Sequence, residues 1–326
     1  MAKKKKRATK AQKYKKIIAY LSIALVAVSC AFVFLMFKKG PIDFNAILSF
    51  FDSLAAPTST AREDVILPKD DEAMVSIIDV GQGLSTYINA GGKHILIDGG
   101  ENNCGERVVE FLRDRGVDTL ELVIGTHPHS DHIGGLDVVI KEINTKMILL
   151  PPMTEAQTPT TKTFADLLDA IEETQTKLVL SKPGQVFNFG GGAVLKVLGP
   201  RKSYESLNNI SIVSRFDFGD VSFLFTGDAE KEAEEDLLRS KSNDLDVDVL
   251  SAGHHGSSTS TTEKFLLSCS PRHVNISCGR DNKYGHPHEE TIELLDKYLI
   301  PYNRTDKSGS ITYITNGKSF EVFTEK

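Results

Sequence analysis

Three of the chain's nine histidines fall inside six positions, within Thr126-His127-Pro128-His129-Ser130-Asp131-His132-Ile133-Gly134-Gly135. Imidazole and carboxylate groups bind borderline transition-metal ions, so this density marks a candidate ligand set. The run Leu120-Glu121-Leu122-Val123-Ile124 before it reads as a buried strand, which puts the cluster where strand gives way to loop. In an extended chain residues i and i+2 point the same way, so His127 and His129 can converge on one point. Past His129 the chain must turn, and Asp131 and His132 then face a second point. Gly134 and Gly135 let the backbone crowd in behind them. One or two ions held there would activate water for hydrolysis.

His-x-His-x-Asp-His followed by Gly-Gly resembles the signature of the metallo-β-lactamase fold of metal-dependent hydrolases. Later segments resemble one branch of it, the extracytoplasmic domain of ComEC-type DNA-uptake proteins. These are Asp79-Val80-Gly81-Gln82-Gly83, Asn209-Ile210-Ser211-Ile212-Val213, Thr226-Gly227-Asp228, His254-His255-Gly256-Ser257 and Asp281 to His288, in that order. The likeness covers about residues 74–315. It implies an α+β class, a four-layer αββα sandwich, with one or two divalent ions, zinc or manganese.

By resemblance, the metal ligands are His127, His129, Asp131, His132, Asp228 as a bridging carboxylate, and His255. His254 and Asp131 are the catalytic candidates, with His254 meeting substrate phosphate or standing just behind the ligands. Asp79 and Asp98 end strands beside glycines and are expected to brace the histidines by hydrogen bonds. Ser257, His286 and His288 are candidates for substrate contact or for the surrounding layer. Two departures stand out. Leu84 occupies the position where the DNA-uptake branch usually has a further aspartate. Many superfamily members also supply a histidine between the first cluster and the bridging aspartate, whereas here none lies between His132 and His254. The ion on His127 and His129 therefore needs another ligand.

Charge is unevenly distributed. Residues 1–40 carry eleven Lys/Arg and no acid, leaving 27 basic against 44 acidic residues beyond them, a net of −17 with histidine neutral. An acidic body excludes a broad, sequence-independent grip on nucleic acid, so any such contact must be local. Ile17 to Phe37 is an uncharged apolar run of 21 residues, long enough to span a bilayer as a helix. Nine Lys/Arg precede it, which predicts a cytoplasmic N-terminus and an extracytoplasmic remainder at the plasma membrane. The expected organisation is a basic tail (1–16), a transmembrane helix (17–37), a stalk (38–72) and a hydrolase domain (73–326). One span cannot form the many-helix channel of full ComEC proteins. Cys104, Cys269 and Cys278 make neither a disulfide framework nor a cysteine zinc site. Neither Ile78 to Gly83 nor Leu96 to Gly100 carries the Gly-Lys-Ser/Thr of a nucleotide-binding loop.

The elements that must hold the cluster follow from periodicity. Strands are expected over 74–80, 85–89, 94–98, 120–124, 147–150, 177–180, 185–189, 194–198, 209–218, 221–225, 247–250 and 273–277. Helices are expected over 107–115, 133–143, 163–174, 230–240, 262–268 and, last, 289–299, before an Asn316-Gly317 hairpin. His94 and His273 start strands and read as surface positions. The expected function is membrane-anchored hydrolysis of a phosphodiester, with single-stranded DNA as one substrate. A small phosphate ester of phosphocholine type, a lactone, or a non-catalytic assembly role are the alternatives. Protein partners are unknown.

Overall fold

The protein was analysed as a computed structural model that describes residues 65–240 and 243–326. The basic tail, the apolar run 17–37 and residues 38–64 of the expected stalk lie outside the described residues. Among those described, no helix is long and apolar enough to cross a membrane.

Several strands read as unbroken apolar runs because both of their faces are buried. In Ala73–Ile77, Val75 and Ile77 point to one core and Met74 to another. In Leu122–Ile124, Leu122 and Ile124 share the first core while Val123 faces the second. The first core lies between two mixed sheets. Ile88, Ile95 and Ile97 of one sheet meet Leu195, Phe216, Phe223 and Phe225 of the other.

The larger sheet has eight strands, in the order Phe320–Thr324, Ile311–Thr315, Ala73–Ile77, Thr86–Ala90, Lys93–Ile97, Leu122–Ile124, Met147–Leu150, Lys177–Leu180. The other has seven, in the order Tyr302–Arg304, His273–Ile276, Val249–Ser251, Val221–Phe225, Ser214–Phe218, Ala193–Val197, Val186–Gly190. Helices Gly105–Arg113, Leu136–Glu142 and Lys162–Thr174 cover the outer face of the first through Leu112, Val139 and Leu167. Lys231–Arg239, Glu263–Cys269 and Glu289–Lys297 cover the second through Leu237, Phe265 and Leu295. The layering is αββα, as expected. Packing on the outer core begins at Ile66.

Three local expectations fail, the second and third where the chain serves the loop cluster. Residues 120–124 are not one strand. Thr119–Leu120 pairs with Asn144–Thr145 in a separate two-stranded sheet, and the Glu121 amide donates to His94 O instead. The helix expected over 133–143 is broken into Ser130–Ile133 and Leu136–Glu142. There the Gly99 amide donates to His132 O and the Gly135 amide to Gly100 O, locking the break against a neighbouring loop. A Cβ on Gly134 would overlap the Ser130 carbonyl and the Asn102 amide, so only glycine permits this approach. Residues 209–213 are not strand, since the Ile212 amide donates to Thr126 O and ties the two halves together. A short helix, Thr305–Ser308, also follows the one expected to be last.

His273 is buried rather than surface, with Nδ1 2.9 Å from the Tyr313 hydroxyl. His94 is half-buried, with Nδ1 2.8 Å from the Tyr87 hydroxyl. Both start strands whose opposite ends lead to Asp98 and Ser277, which hold His132 and His255.

Candidate metal centre

Strands Lys93–Ile97 and Leu122–Ile124 run parallel, as do Val221–Phe225, Val249–Ser251 and His273–Ile276. Their C-terminal ends deliver Asp98, His127, Asp228, His255 and Ser277 to one place, the usual location of a site on parallel strands. His129 keeps extended dihedrals and precedes the helix Ser130–Ile133, whose single turn carries Asp131 and His132.

Two groups of ligand atoms form, each with all atoms within 4.8 Å of one another: His127, His129 and Asp228, and Asp131, His132 and His255. The spacings decide whether an ion fits. Donors about 2.0–2.1 Å from a tetrahedral ion lie about 3.3–3.4 Å apart. In the second group His132 Nε2 is 3.3 Å from His255 Nε2 and 3.1 Å from Asp228 Oδ1. His255 Nε2 is 3.3 Å from Asp131 Oδ2 and 3.7 Å from Asp228 Oδ1. In the first, His127 Nε2 is 3.0 Å from His129 Nδ1 and 3.6 Å from Asp228 Oδ2. Asp228 thus turns one oxygen to each group, which is what a bridging carboxylate does.

The far sides of the rings settle which nitrogen faces inward. His132 Nδ1 is 2.7 Å from Asp98 Oδ2, and His255 Nδ1 is 3.0 Å from Ser277 O. Those acceptors require N–H on Nδ1, so in the neutral rings the Nε2 lone pairs face each other. A cation between them turns that repulsion into cohesion. Asp228 Oδ1 is buried and accepts no well-directed hydrogen bond. Its nearest partners are the His132 and His255 ring nitrogens, and an ion at this point would satisfy it directly. The residues present therefore fit a divalent ion.

Electrostatics agree. Burial, with His132 adding to it, holds His127 below the usual imidazole range. Burial also opposes charge on His132, but Asp228 and Asp98 outweigh it and hold that ring well above its ordinary value. Burial pushes Asp228 up, yet His132, His255 and His127 more than offset it and keep the carboxyl well down. In the metal-free site a proton on His132 thus offsets the buried carboxylates, and a metal cation would take its place in exchange for that proton.

Asp98 braces the histidines as expected. It is fully buried, accepts from the Thr126 amide and hydroxyl at 2.7 Å each, and holds His132. Asp79 does not brace them. It accepts from the Gly81 amide at 3.1 Å and pairs with Arg107 at 3.8 Å and Lys326 at 3.7 Å, because its strand bends away into the 79–83 turn. Ser257 is buried and acts at one remove: its hydroxyl is 3.0 Å from Thr259 Oγ1, which is 3.2 Å from His254 Nδ1. His254 Nε2 lies 3.5 Å from Asp228 Oδ2. His286 packs against His255 and His254, with centroids 5.9 and 5.5 Å away. Burial, then His255 and His254, push its pKa down to about 4. His288 is turned outward, accepting the Ser258 amide at 3.0 Å on Nδ1 and facing Tyr284 O, and it braces the loop. Cys104 is buried on the Val80 carbonyl and opens a helix.

The profile of the Metallo-beta-lactamase superfamily matches residues 78–279. The chain belongs to that superfamily. It is 33% identical over 261 residues to ComE operon protein 3 of Bacillus subtilis (strain 168), covering 74% of this chain and 33% of that protein. It is 33% identical over 243 residues to Recombination protein 2 of Haemophilus influenzae, covering 73% of this chain and 28% of that protein. The chain thus spans about a third of the length of these relatives. Among solved structures, CmlA, a diiron β-hydroxylase from Streptomyces venezuelae, shares the fold. Its TM-score is 0.50 at 15% identity, over 73% of this chain and 53% of that one. The superfamily and its relation to competence proteins are as the motifs implied.

Sequence reasoning passed over three supporting residues. Thr126 sits 3.2 Å from His127 Nδ1, and Ser211 sits 3.3 Å from that nitrogen while accepting the Asp228 amide at 3.1 Å. Gln82 accepts the Gly279 amide at 3.0 Å and reaches His286 Nδ1 at 3.5 Å. Each lies inside a motif that was legible; Ser211 and Gln82 meet partners remote in sequence, whereas Thr126 touches the adjacent His127.

Proposed function

We propose that this chain is a metal-dependent phosphodiesterase, anchored by residues 17–37, with its catalytic body outside the cytoplasm and single-stranded DNA as substrate. The observation that carries the reading is the pair of ligand groups sharing Asp228, a geometry suited to clamping both oxygens of an in-line displacement at phosphorus. Zinc or manganese bound there would supply hydroxide near neutral pH and neutralise charge on the phosphoryl oxygens. His127, His129, Asp131, His132, Asp228 and His255 would hold the ions, with Thr126, Asp98, Ser211 and the Ser277 carbonyl fixing the ring orientations. Asp131, with its side chain 20% exposed, borders the open side, where it can orient a water. His286, neutral at pH 7, can donate a ring N–H hydrogen bond to a phosphoryl oxygen, the leaving oxygen taking its proton from solvent.

A nucleic-acid substrate is favoured by the rim. Tyr284 is 49% exposed and stacks on His286 at 5.5 Å, with Lys283 Nζ 4.9 Å from its ring. An aromatic face beside a cation is how single strands are held without a broad basic surface. The relation to competence proteins supports the same context. The net −17 beyond residue 40 favours a second reading, a small phosphodiester.

The full chain, loaded with Mn²⁺ or Zn²⁺, is assayed on a single-stranded oligonucleotide, a chromogenic phosphodiester and a phosphocholine ester. Metal-dependent cleavage of the oligonucleotide, lost in Asp228→Ala, is expected. Cleavage of the phosphocholine ester alone selects the second reading. Bound metal with no turnover on any ester refutes both and leaves a metal-binding assembly protein.

A further inference from the structure

The ion on His127 and His129 lacks the third histidine that many superfamily members supply, because no histidine lies between His132 and His254. Asn208 and Asn209, polar side chains between the first cluster and Asp228, each make a hydrogen bond to Glu230. The Asn208 side-chain amide donates to Glu230 Oε1 at 3.3 Å, and Asn209 Oδ1 accepts the Glu230 amide at 2.9 Å. Glu230 Oε1 in turn lies 3.6 Å from His254 Nδ1, and Thr259 Oγ1 is 3.2 Å from the same nitrogen. A histidine whose outer nitrogen meets a carboxylate and a hydroxyl has its inner nitrogen free to ligate, the usual support of a metal-bound imidazole.

The inner nitrogen points the right way. His254 Nε2 is 3.5 Å from Asp228 Oδ2, and His127 Nε2 is 3.6 Å from that same oxygen. On the other oxygen, His132 Nε2 and His255 Nε2 stand at 3.1 and 3.7 Å. Each oxygen of Asp228 therefore faces one imidazole from the first cluster and one from the His254-His255 pair. Both near pairs on Oδ2 match the edge of about 3.4 Å between donors on a tetrahedral ion.

Adjacent residues on a regular strand would point their rings to opposite faces. Here His254 (φ 50, ψ 49) and His255 (φ 57, ψ 23) are both left-handed. That conformation costs about 1 kcal/mol or more per non-glycine residue and clusters at functional sites. The His254 amide is tied to Gly227 O at 3.0 Å, beside the bridging residue. The strain brings two successive imidazoles onto one carboxylate.

We propose that His254 takes the place of the absent histidine, binding through Nε2 the ion held by His127 and His129, so that His254 and His255 serve one ion each. The assignment rests on the metal-centre reading above and revises the expectation that His254 meets substrate phosphate. His254 stands outside the tight His127, His129 and Asp228 group and touches it at Asp228, so the ring must draw in when an ion binds.

The test uses the full chain with cobalt(II) as the probe, comparing wild type, His254→Phe and His254→Glu by chelator-competed titration and visible absorption. Wild type is expected to take up two ions per chain. His254→Phe should lose the affinity of one ion by about 100-fold or more, beyond the effect of removing an outer partner. His254→Glu, an oxygen donor of similar reach, should restore the second ion with shifted d–d bands. A role in contacting phosphate makes the opposite forecast: two ions and an unchanged spectrum in His254→Phe, which overturns the proposal. Thermal unfolding of the metal-free proteins checks the fold. If His254→Phe does not fold, wild-type d–d bands in His254→Glu overturn the proposal equally. A wild type that binds no cobalt refutes the metal-centre reading itself.

Discussion

Replacing Asp98 by Asn isolates one atom in the support of the metal centre. Asp98 is fully buried and left-handed (φ 61), a conformation that Asn also adopts readily, so the backbone is not strained by the change. Oδ1 accepts from the Thr126 amide, a bond that Asn keeps. Oδ2 accepts from the Thr126 hydroxyl and faces His132 Nδ1, each at 2.7 Å, and there Asn presents an NH₂ group. Two donors then confront a donor. His132 can relieve the clash only by moving its proton to Nε2, the atom aimed at Asp228 and His255. Its lone pair is then lost to the ion.

Loss of such a support lowers metal affinity about 10–100-fold, equivalent to about 1.4–2.7 kcal/mol. In the metal-free protein, a buried donor left without its acceptor destabilises by about 1–3 kcal/mol. Competitive zinc titration and denaturant unfolding of Asp98→Asn measure the two effects separately. Wild-type zinc affinity in a folded Asp98→Asn protein would refute the claim that Asp98 sets the His132 tautomer.

Tyr284→Ala should raise KM for a single-stranded oligonucleotide by about 5–150-fold, one stacking contact of about 1–3 kcal/mol, with little change on a chromogenic phosphodiester; equal loss on both would refute the rim's role in binding bases. Glu234 is buried and its pKa is pushed up by burial from 4.5 to about 6, against hydrogen bonds from the Thr262 hydroxyl and amide and the Thr261 amide. Since the folded pKa exceeds the unfolded one, this contribution is complete below pH 4.5 and disappears as pH rises through about 6. The stability difference between wild type and Glu234→Gln should therefore fall by about 2 kcal/mol across that window, at 1.36 kcal/mol per pKa unit. A pH-independent difference in urea unfolding would refute it.

The first ligand cluster was legible because it is local. His127 and His129 sit two residues apart at a strand end, and Asp131 and His132 occupy the next turn, so spacing alone forces two points of convergence. The sandwich was legible for a similar reason: strands buried on both faces leave apolar runs, and the covering helices leave a helical period. What the sequence could not show are relations between remote segments whose local patterns are weak. Residues 209–213 look like strand, but their backbone is needed to close on Thr126, and Ser211 ends between His127 and the Asp228 amide. Asp79 and Asp98 have the same local pattern, an acid at a strand end before glycine, yet only Asp98 faces a histidine. The parallel pairing of Lys93–Ile97 with Leu122–Ile124 sends it there, whereas the bend after Ala73–Ile77 carries Asp79 away.

A metal-type ligand set on a mixed αββα scaffold is readable from the residues alone, since ligand type and spacing are local chemistry and burial is periodic. Tertiary structure decided how the ligands divide. Two mixed sheets pack face to face, and only their packing puts Asp228 between the first cluster and the His254-His255 pair, one oxygen toward each group.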